Sequence, residues 1–456
     1  MYAVIAGAGE VGFQVARFLY EEGYNIALVE KDEKAVAEAE SLDALVVKGN
    51  AASPLKLKEA GIETADLFIG VTGSDEANII GSAIAKSRGA KTIARINSFE
   101  YINEPISTNL KNLGIDVAIC PELVAARKLS RMMSLPVLMD VETFARGKLS
   151  AVEVRVKKFS RAAGKQIKDL NLPPGVNIVA LFRAGEVIMP YGEEKIRIND
   201  RLIIFFSDPS SLIAIDRLFS PVNRGEENGG EKGIERIMIV GATRMGVQLA
   251  KMLEKRVEVI LLDEDEEACA RASEALSSTL VIRGSGTDEE ILVEEGIGRV
   301  DVFVAATHHE DTNILSSLLA KEYGAKKCVA IINRPELKSM FEHIGVDVAV
   351  SPRLATVGAV LQHTYSSEIL AMGVLFGGKA RVVEMEVKPE HRIVGKTVGK
   401  VHLPKNTRLG AIVRGNKVII PGGDDMVMIG DHLIFFAPSE SVQKVERIMN
   451  KPGLFL

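Results

Sequence analysis

The chain has 456 residues, enough for several domains of the usual ~100–200 residues, and its 47% apolar and 26% charged content is that of an ordinary globular protein. A formal net charge of −5, no tryptophan and 5% aromatic residues argue against a nucleic-acid-binding face, which needs basic charge and stacking rings. Cys120, Cys269 and Cys328 have neither disulfide nor metal spacing, no leader pattern opens the chain, and no apolar run reaches the ~18–20 residues that cross a bilayer, so a cytoplasmic chain with reduced cysteines and no transmembrane segment of its own is expected.

An apolar run over residues 3–6 predicts a first strand. It breaks into Gly7-Ala8-Gly9-Glu10-Val11-Gly12, and a helical pattern follows over 13–22. A second strand, 25–29, ends at the acid Glu30. This is the dinucleotide-binding spacing in its expected context. Gly7 lets the chain turn out of the strand, Gly9 lets backbone approach a pyrophosphate, and Gly12 lets the helix pack close to the strand. The helix N-terminus offers free N–H groups and a positive dipole end to phosphates. Glu30 can accept from a ribose 2′-hydroxyl and would repel a 2′-phosphate, which favours NAD(H) over NADP(H). The competing reading is a Rossmann-like domain that keeps its glycines for packing alone.

Helices at 33–41, 54–60, 77–88 and 101–113 alternate with strands at 44–47, 66–72, 91–96 and 117–119. Continuous apolar strands between helices mean a parallel sheet covered on both faces, with ligands beyond the carboxyl ends of its strands. There lie the glycine turn, Glu30, Asn50-Ala51, Thr72-Gly73 and Arg95. Thr72 either bonds phosphate or ribose or simply closes its strand. A helix over 122–134 stands outside this pattern and reads as a crossover or dimerisation helix, or as ordinary packing.

Residues 137–220 change character: 152–156 alternate strictly, and short strands at 177–183, 187–190 and 201–206 precede a helix at 209–219. This is a small α+β domain. Residues 221–233, rich in Gly and Glu, read as a linker.

The whole plan then repeats, displaced by about 235 residues. Gly241, Thr243, Arg244, Met245 and Gly246 match the glycine turn, Asp263 matches Glu30, Ser285 matches Asn50, Thr307 matches Thr72 and Asn313 matches Asn78. Gly430-Asp431 matches Asn199-Asp200 in the small domain. The expected fold is α/β: two Rossmann-like doubly wound parallel-sheet domains (1–136 and 234–366), each followed by a small α+β domain (137–220 and 367–456). The most apolar stretch of the last unit, 369–376, reads as a helix too short to span a membrane.

The copies differ chemically. Thr243 replaces Gly9, where a side chain hinders approach to a pyrophosphate. Arg244 replaces Glu10 and could contact phosphates directly. Arg95 has no counterpart in 329–333. The second pocket therefore either takes another nucleotide, such as ATP or ADP, or is degenerate. No catalytic residue is assigned. The small domains hold no cysteine, His391 and His402 are unmatched in the first copy, and no acid–base pair stands out. His308-His309 is a poor metal site, because adjacent histidines rarely converge on one ion.

The tandem plan, the turn Gly7 to Gly12, the acids Glu30 and Asp263, the run Thr72-Gly73-Ser74-Asp75-Glu76-Ala77-Asn78 with its copy from Thr307 to Asn313, and the small-domain pattern from Gly164-Lys165 to Asn199-Asp200 together resemble the regulator-of-potassium-conductance (RCK, or KTN) family in its tandem, Trk-type form. The resemblance covers nearly the entire chain. It implies a cytoplasmic regulatory subunit, peripheral on the inner face of the membrane, that binds NAD(H) and ATP or ADP. It further implies a homo-oligomeric ring, a tetramer, gating a membrane-embedded Trk-type potassium transporter subunit without catalytic turnover. The alternatives are an NAD-dependent oxidoreductase, or the gating ring of a potassium channel or efflux system.

Overall fold

The computed structural model describes residues 1–98, 101–102, 107–133, 135, 137–221, 233–364, 369–376 and 379–449. All but the ends of the expected linker lies outside them. The first unit runs β1 (Tyr2–Ala6), α1 (Glu10–Glu21), β2 (Asn25–Glu30), α2 (Glu33–Ala39), β3 (Leu45–Lys48), α3 (Pro54–Glu59), β4 (Leu67–Gly70), α4 (Asp75–Ser87), β5 (Lys91–Arg95), α5 (Ser107–Asn112) and β6 (Val117–Ile119). Its strands pair in parallel in the order β3-β2-β1-β4-β5-β6. The order reverses between β1 and β4, and the crevice beyond their carboxyl ends is where such sheets take ligands. The central strand is apolar on both faces, with Ala3, Val4, Ile5 and Ala6 all fully buried, as a sheet covered by helices requires. α1 sends Val15, Ala16 and Leu19 into one of the two flanking cores.

α6 (Pro121–Met132) leads to the small domain: β7 (Leu138–Phe144), β8 (Leu149–Arg155), β9 (Asn177–Arg183), β10 (Glu186–Ile188), β11 (Arg201–Phe206) and α7 (Ser211–Phe219), an antiparallel sheet in the order β10-β9-β11-β8-β7. The second copy repeats both layers. Its large unit is β12 (Arg236–Val240), α8 (Arg244–Leu253), β13 (Glu258–Asp263), α9 (Glu266–Ala275), β14 (Leu280–Arg283), α10 (Glu289–Glu294), β15 (Val302–Ala305), α11 (Glu310–Glu322), β16 (Lys327–Ile331), α12 (Lys338–His343) and β17 (Val348–Val350). Then come α13 (Pro352–Thr364), β18 (Ile369–Leu375), β19 (Ala380–Glu386), β20 (Arg408–Arg414), β21 (Lys417–Ile419), β22 (His432–Pro438) and α14 (Val442–Met449).

Two expectations need correction here. Ile369–Leu375 is a strand, not a helix, and its equivalent β7 precedes the first strand expected of the small domain. Both pair with their neighbour through a register shift, between Ile369 and Ala371 and between Leu138 and Asp140. A bulge adds one residue to one strand and breaks the period-two alternation by which strands are read.

The two halves interlock through their crossover helices. Ala125, Ala126, Leu129 and Met132 of α6 leave their own sheet and share a core with Ile237, Ile239, Leu249 and Ala250 of the second half. In return, Val360 and Leu361 of α13 enter the core of Ile5, Val15, Ala16 and Leu19 in the first. The crossover reading of the 122–134 helix therefore holds. The small sheets meet face to face, with Phe144, Val179 and Phe205 against Phe376, Val382 and Phe436.

The repeated Asn199-Asp200 and Gly430-Asp431 signals also acquire a cause. Buried Asp200 accepts from Arg183 Nε at 2.9 Å and Nη2 at 2.7 Å, and from the backbone N–H of Arg197 at 2.8 Å. Asp431 is bound in the same way by Arg414, at 2.8 Å twice, and by the N–H of Met428. Such a forked pair fixes a loop to a strand with good geometry. His432, which the copy comparison does not single out, pairs through Nδ1 with buried Glu384 at 2.6 Å. Among the described residues no helix is long and apolar enough to cross a membrane.

Candidate nucleotide site

The glycine turn follows β1 directly. Gly7 has φ +101°, and a Cβ there would lie 2.9 Å from the Thr72 nitrogen. A Cβ on Gly12 would stand 1.8 Å from the Gly7 carbonyl oxygen. Both glycines are demanded by the close approach of backbone to backbone. Gly9 is different: a Cβ there meets nothing within 4 Å. Gly9 is also the N-cap of α1 and gives no side-chain cap, so the first-turn N–H groups face the open crevice. Ala8 and Val11 are buried beneath the turn.

Glu30 ends β2 beside this turn. Its Oε2 accepts from the Ala8 N–H at 2.7 Å, and its Oε1 from the N–H groups of Lys31 and Asp32 at 2.7 and 2.9 Å. A carboxylate has about four acceptor positions. One therefore ties down the glycine turn, two hold the loop after β2, and about one is left for a ribose hydroxyl.

The other expected residues divide between rim and frame. Gly73 faces open space. Asn50 turns its Oδ1 onto the Ala52 N–H at 2.9 Å, while Ala51 is buried in the core with Val4 and Phe68. Thr72 is committed to structure. Its N–H and hydroxyl donate to Oδ1 of buried Asn78 at 3.0 and 2.7 Å, and Asn78 Nδ2 in turn donates to the Arg95 carbonyl at 2.8 Å. These bonds close the end of β4. Arg95 donates through Nε to Asn97 Oδ1 at 3.0 Å; burial lowers its pKa from the ordinary guanidinium value, and Asp75 and Glu122 pull it back up.

The second half keeps the frame and alters the opening. Gly241 has φ +113°, and a Cβ on Gly246 would stand 2.0 Å from the Gly241 oxygen. Asp263 accepts from the Ala242 N–H at 2.6 Å and from the Asp265 N–H at 2.9 Å, as Glu30 does. Thr307 repeats Thr72 on Asn313 at 3.0 and 2.7 Å, and Ser285 Oγ lies 3.0 Å from Thr287 Oγ1. Asn313 Nδ2 reaches the carbonyl of Ile331, so Ile331 stands where Arg95 stands and the strand carries no arginine. Met245 is buried.

Thr243 does more than fill the space of Gly9. Its hydroxyl donates to the Ala306 carbonyl at 2.9 Å and accepts from the Gly246 N–H at 3.2 Å, capping α8. That donor is satisfied internally here, whereas its counterpart on Gly12 has no such cap. Thr243→Gly is expected to open the second turn. It should cost about 1 kcal/mol or less of stability in thermal melts, from loss of the cap, and calorimetry should show tighter dinucleotide binding at the second half.

Two residues of this region escape a reading of either copy alone. Arg353, at the start of α13, contacts the carboxylate of Glu10. Glu122, at the start of α6, has its pKa raised by burial, with Arg244, Arg95 and His308 pulling it back down. A cavity of about 640 Å³ also lies between the halves, away from both turns and walled by α6, α13 and small-domain strands. Two of the ion pairs on its walls are Lys128 with Asp140 and Arg201 with Glu153.

A glycine turn at the switch point of a parallel sheet, a small antiparallel domain behind it, and the whole repeated with swapped crossover helices define a tandem Rossmann-type protein with two candidate nucleotide pockets. The chain belongs to the TrkA family: the TrkA-N domain matches residues 3–121 and 237–352, and the TrkA-C domain residues 151–220 and 382–450. It is 37% identical over 451 residues to the Trk system potassium uptake protein TrkA homolog of Archaeoglobus fulgidus, covering 98% of this chain and 100% of that one. It is 33% identical over 467 residues to the Trk system potassium uptake protein TrkA of Vibrio alginolyticus, covering all of both. Among solved structures it is similar to the GsuK RCK domain (TM-score 0.61, 20% identity, 98% of this chain and 94% of that one). It is similar also to the GsuK channel bound to NAD (TM-score 0.61, 20% identity, 98% and 78%). At that identity the likeness bears on the fold.

Proposed function

We propose that this chain is the nucleotide-sensing regulatory subunit of a Trk-type potassium uptake system. The observation that carries the sensing role is the uncapped N-terminus of α1, open over the switch point, between two glycines that admit no side chain and beside a carboxylate with acceptor capacity to spare. In this reading Gly7, Ala8, Gly9, Val11, Gly12, Glu30, Gly73 and Arg95 hold NAD(H), with Glu10, Asn50, Ala51 and Thr72 framing the pocket. Gly241, Thr243, Arg244, Met245, Gly246, Asp263, Ser285 and Thr307 form a second pocket, for ATP or ADP. The domain boundaries proposed are 1–136, 137–220, 234–366 and 367–456, with 221–233 as linker. The names of the relatives support a potassium-uptake role. The output is a change of shape: copies of the chain form a ring, a tetramer, on the cytoplasmic face of a membrane-embedded transporter subunit, and occupancy gates flow without turnover.

A ligand shifts a conformational equilibrium only through different affinities for the two states. The first pocket can do so because α1, whose end it uses, is covered by α13 of the other half, and α13 leads into β18. Calorimetric titration of the full chain with NADH, NAD, ATP and ADP tests the reading. Glu30→Ala should weaken NADH by roughly 1–3 kcal/mol, through lost charge-assisted hydrogen bonds. Unchanged affinity would remove Glu30 from the site.

A further inference from the structure

Opposite charges face each other across the two halves, at equivalent positions with the signs exchanged. In the first half the glycine turn carries Glu10, and Arg353, the second residue of α13, contacts its carboxylate. In the second half the turn carries Arg244, and the equivalent helix residue is Glu122 of α6, which lies in the field of Arg244. Each turn thus faces an opposite charge on a helix that belongs, in sequence, to the other half.

Glu10 is the first residue of α1, at the end whose free N–H groups would hold phosphates. An acid there competes with a phosphate for the same positive potential. The side chains of Arg353 and Glu10 keep 41% and 58% of their exposure, and a pair that exposed adds little to stability. Arg353 also lies in the field of Arg95, so two cations stand at one rim of the first pocket.

We propose that Arg353 is a phosphate-binding residue of the first pocket, contributed by the crossover helix of the second half, and that Glu10 holds it until a pyrophosphate-bearing ligand takes it. This rests on the reading of that pocket as an NAD(H) site. Binding then exchanges a contact between halves for a contact to ligand and re-anchors the start of α13. In the second half the arrangement is inverted: the pocket's own Arg244 faces Glu122, one of whose carboxylate oxygens is buried with no hydrogen-bond partner among the described residues.

The test is calorimetry of NADH binding to the full chain at low salt, with thermal melts to confirm folding. Arg353→Gln should weaken NADH about tenfold, the weight of one charge-assisted hydrogen bond. Glu10→Gln should tighten it, because it removes the competing acid and frees the arginine. The double variant should bind NADH more tightly than Arg353→Gln and more weakly than Glu10→Gln, since it removes the competing acid but has no arginine to free. If the pair were only a structural tie, both single substitutions would shift affinity in the same direction, and that result would overturn the inference while leaving the pocket standing. Absence of NADH binding by the unaltered chain would overturn the pocket and the inference together.

Discussion

Gly12→Ala is expected to destabilise the first Rossmann unit severely, while Gly9→Val, three residues away, leaves it folded and blind to dinucleotide. The added methyl at Gly12 would sit 1.8 Å from a backbone oxygen, that of Gly7, which is itself fixed by its N–H bond to the Val29 carbonyl at 2.9 Å. No side chain can swing aside to relieve the clash, so β1 or α1 must move. A loss of about 4 kcal/mol or more, at the upper end of single-substitution effects, and a melting temperature lower by roughly 10 °C follow. At Gly9 the added atoms meet open space, and the backbone is already extended, at φ −62° and ψ −178°. The chain contains its own control: Thr243 occupies the equivalent position with a branched side chain at φ −66° and ψ 164°. Gly9→Val should therefore stay folded, losing about 1 kcal/mol with the poorer N-cap and melting within roughly 5 °C of the parent, while NADH affinity falls at least about tenfold. A Gly9→Val chain that binds NADH normally would place the ligand elsewhere, and a Gly12→Ala chain that melts like the parent would refute the packing role of that glycine.

The contrast shows what the spacing of glycines conveys and what it leaves out. The sheet and its ligand edge were legible because strands buried on both faces are continuous apolar runs, and because the second copy repeats them in register. The demanding role of Gly7 and Gly12 was legible for the same reason. The role of Thr243 was only half legible: a side chain in the way could be foreseen, but not that its hydroxyl caps α8 and occupies the Gly246 N–H. β7 and β18 were missed because each carries a bulge, and a bulge erases the alternation that marks a strand. The acid Glu30 was found, yet in the structure it also ties the glycine turn to the loop after β2, which depends on loop geometry rather than spacing. Arg353 was missed because its partner is 343 residues away, in the other copy. A signal did exist: aligning the copies sets Glu122 against Arg353, a charge reversal mirroring the noted exchange of Glu10 for Arg244.

The same comparison fails altogether at Lys327, where the second large effect is expected. Lys327 and its equivalent Lys91 both open their strands and both reach the chain near the end of the swapped crossover helix. Lys91 does so at the surface, donating to the His363 carbonyl at 2.7 Å. Lys327 is fully buried, donating to the carbonyls of Met132 at 3.1 Å and Leu138 at 2.5 Å, where α6 passes into β7. Burial lowers its pKa to about 7, with Asp347 opposing that shift and Lys157 adding to it. An unfolded lysine titrates near ~10.4. Between about pH 7 and about pH 10.4 the unfolded chain thus binds the extra proton, so this residue makes stability rise with pH across that window and contributes no slope below it. The gain approaches 1.36 kcal/mol per pH unit, about 4 kcal/mol from pH 7 to 10. Lys327→Met keeps the length and removes the charge along with both hydrogen bonds. In urea titrations the variant should match or exceed the parent at pH 7, where the parent still holds much of its buried charge, and fall below it at pH 10, where a neutral lysine still donates to both carbonyls. A stability difference between parent and variant that stays constant from pH 7 to 10 would show that Lys327 does not titrate in this window, and that the junction of α6 and β7 is held by a lysine whose charge the fold tolerates.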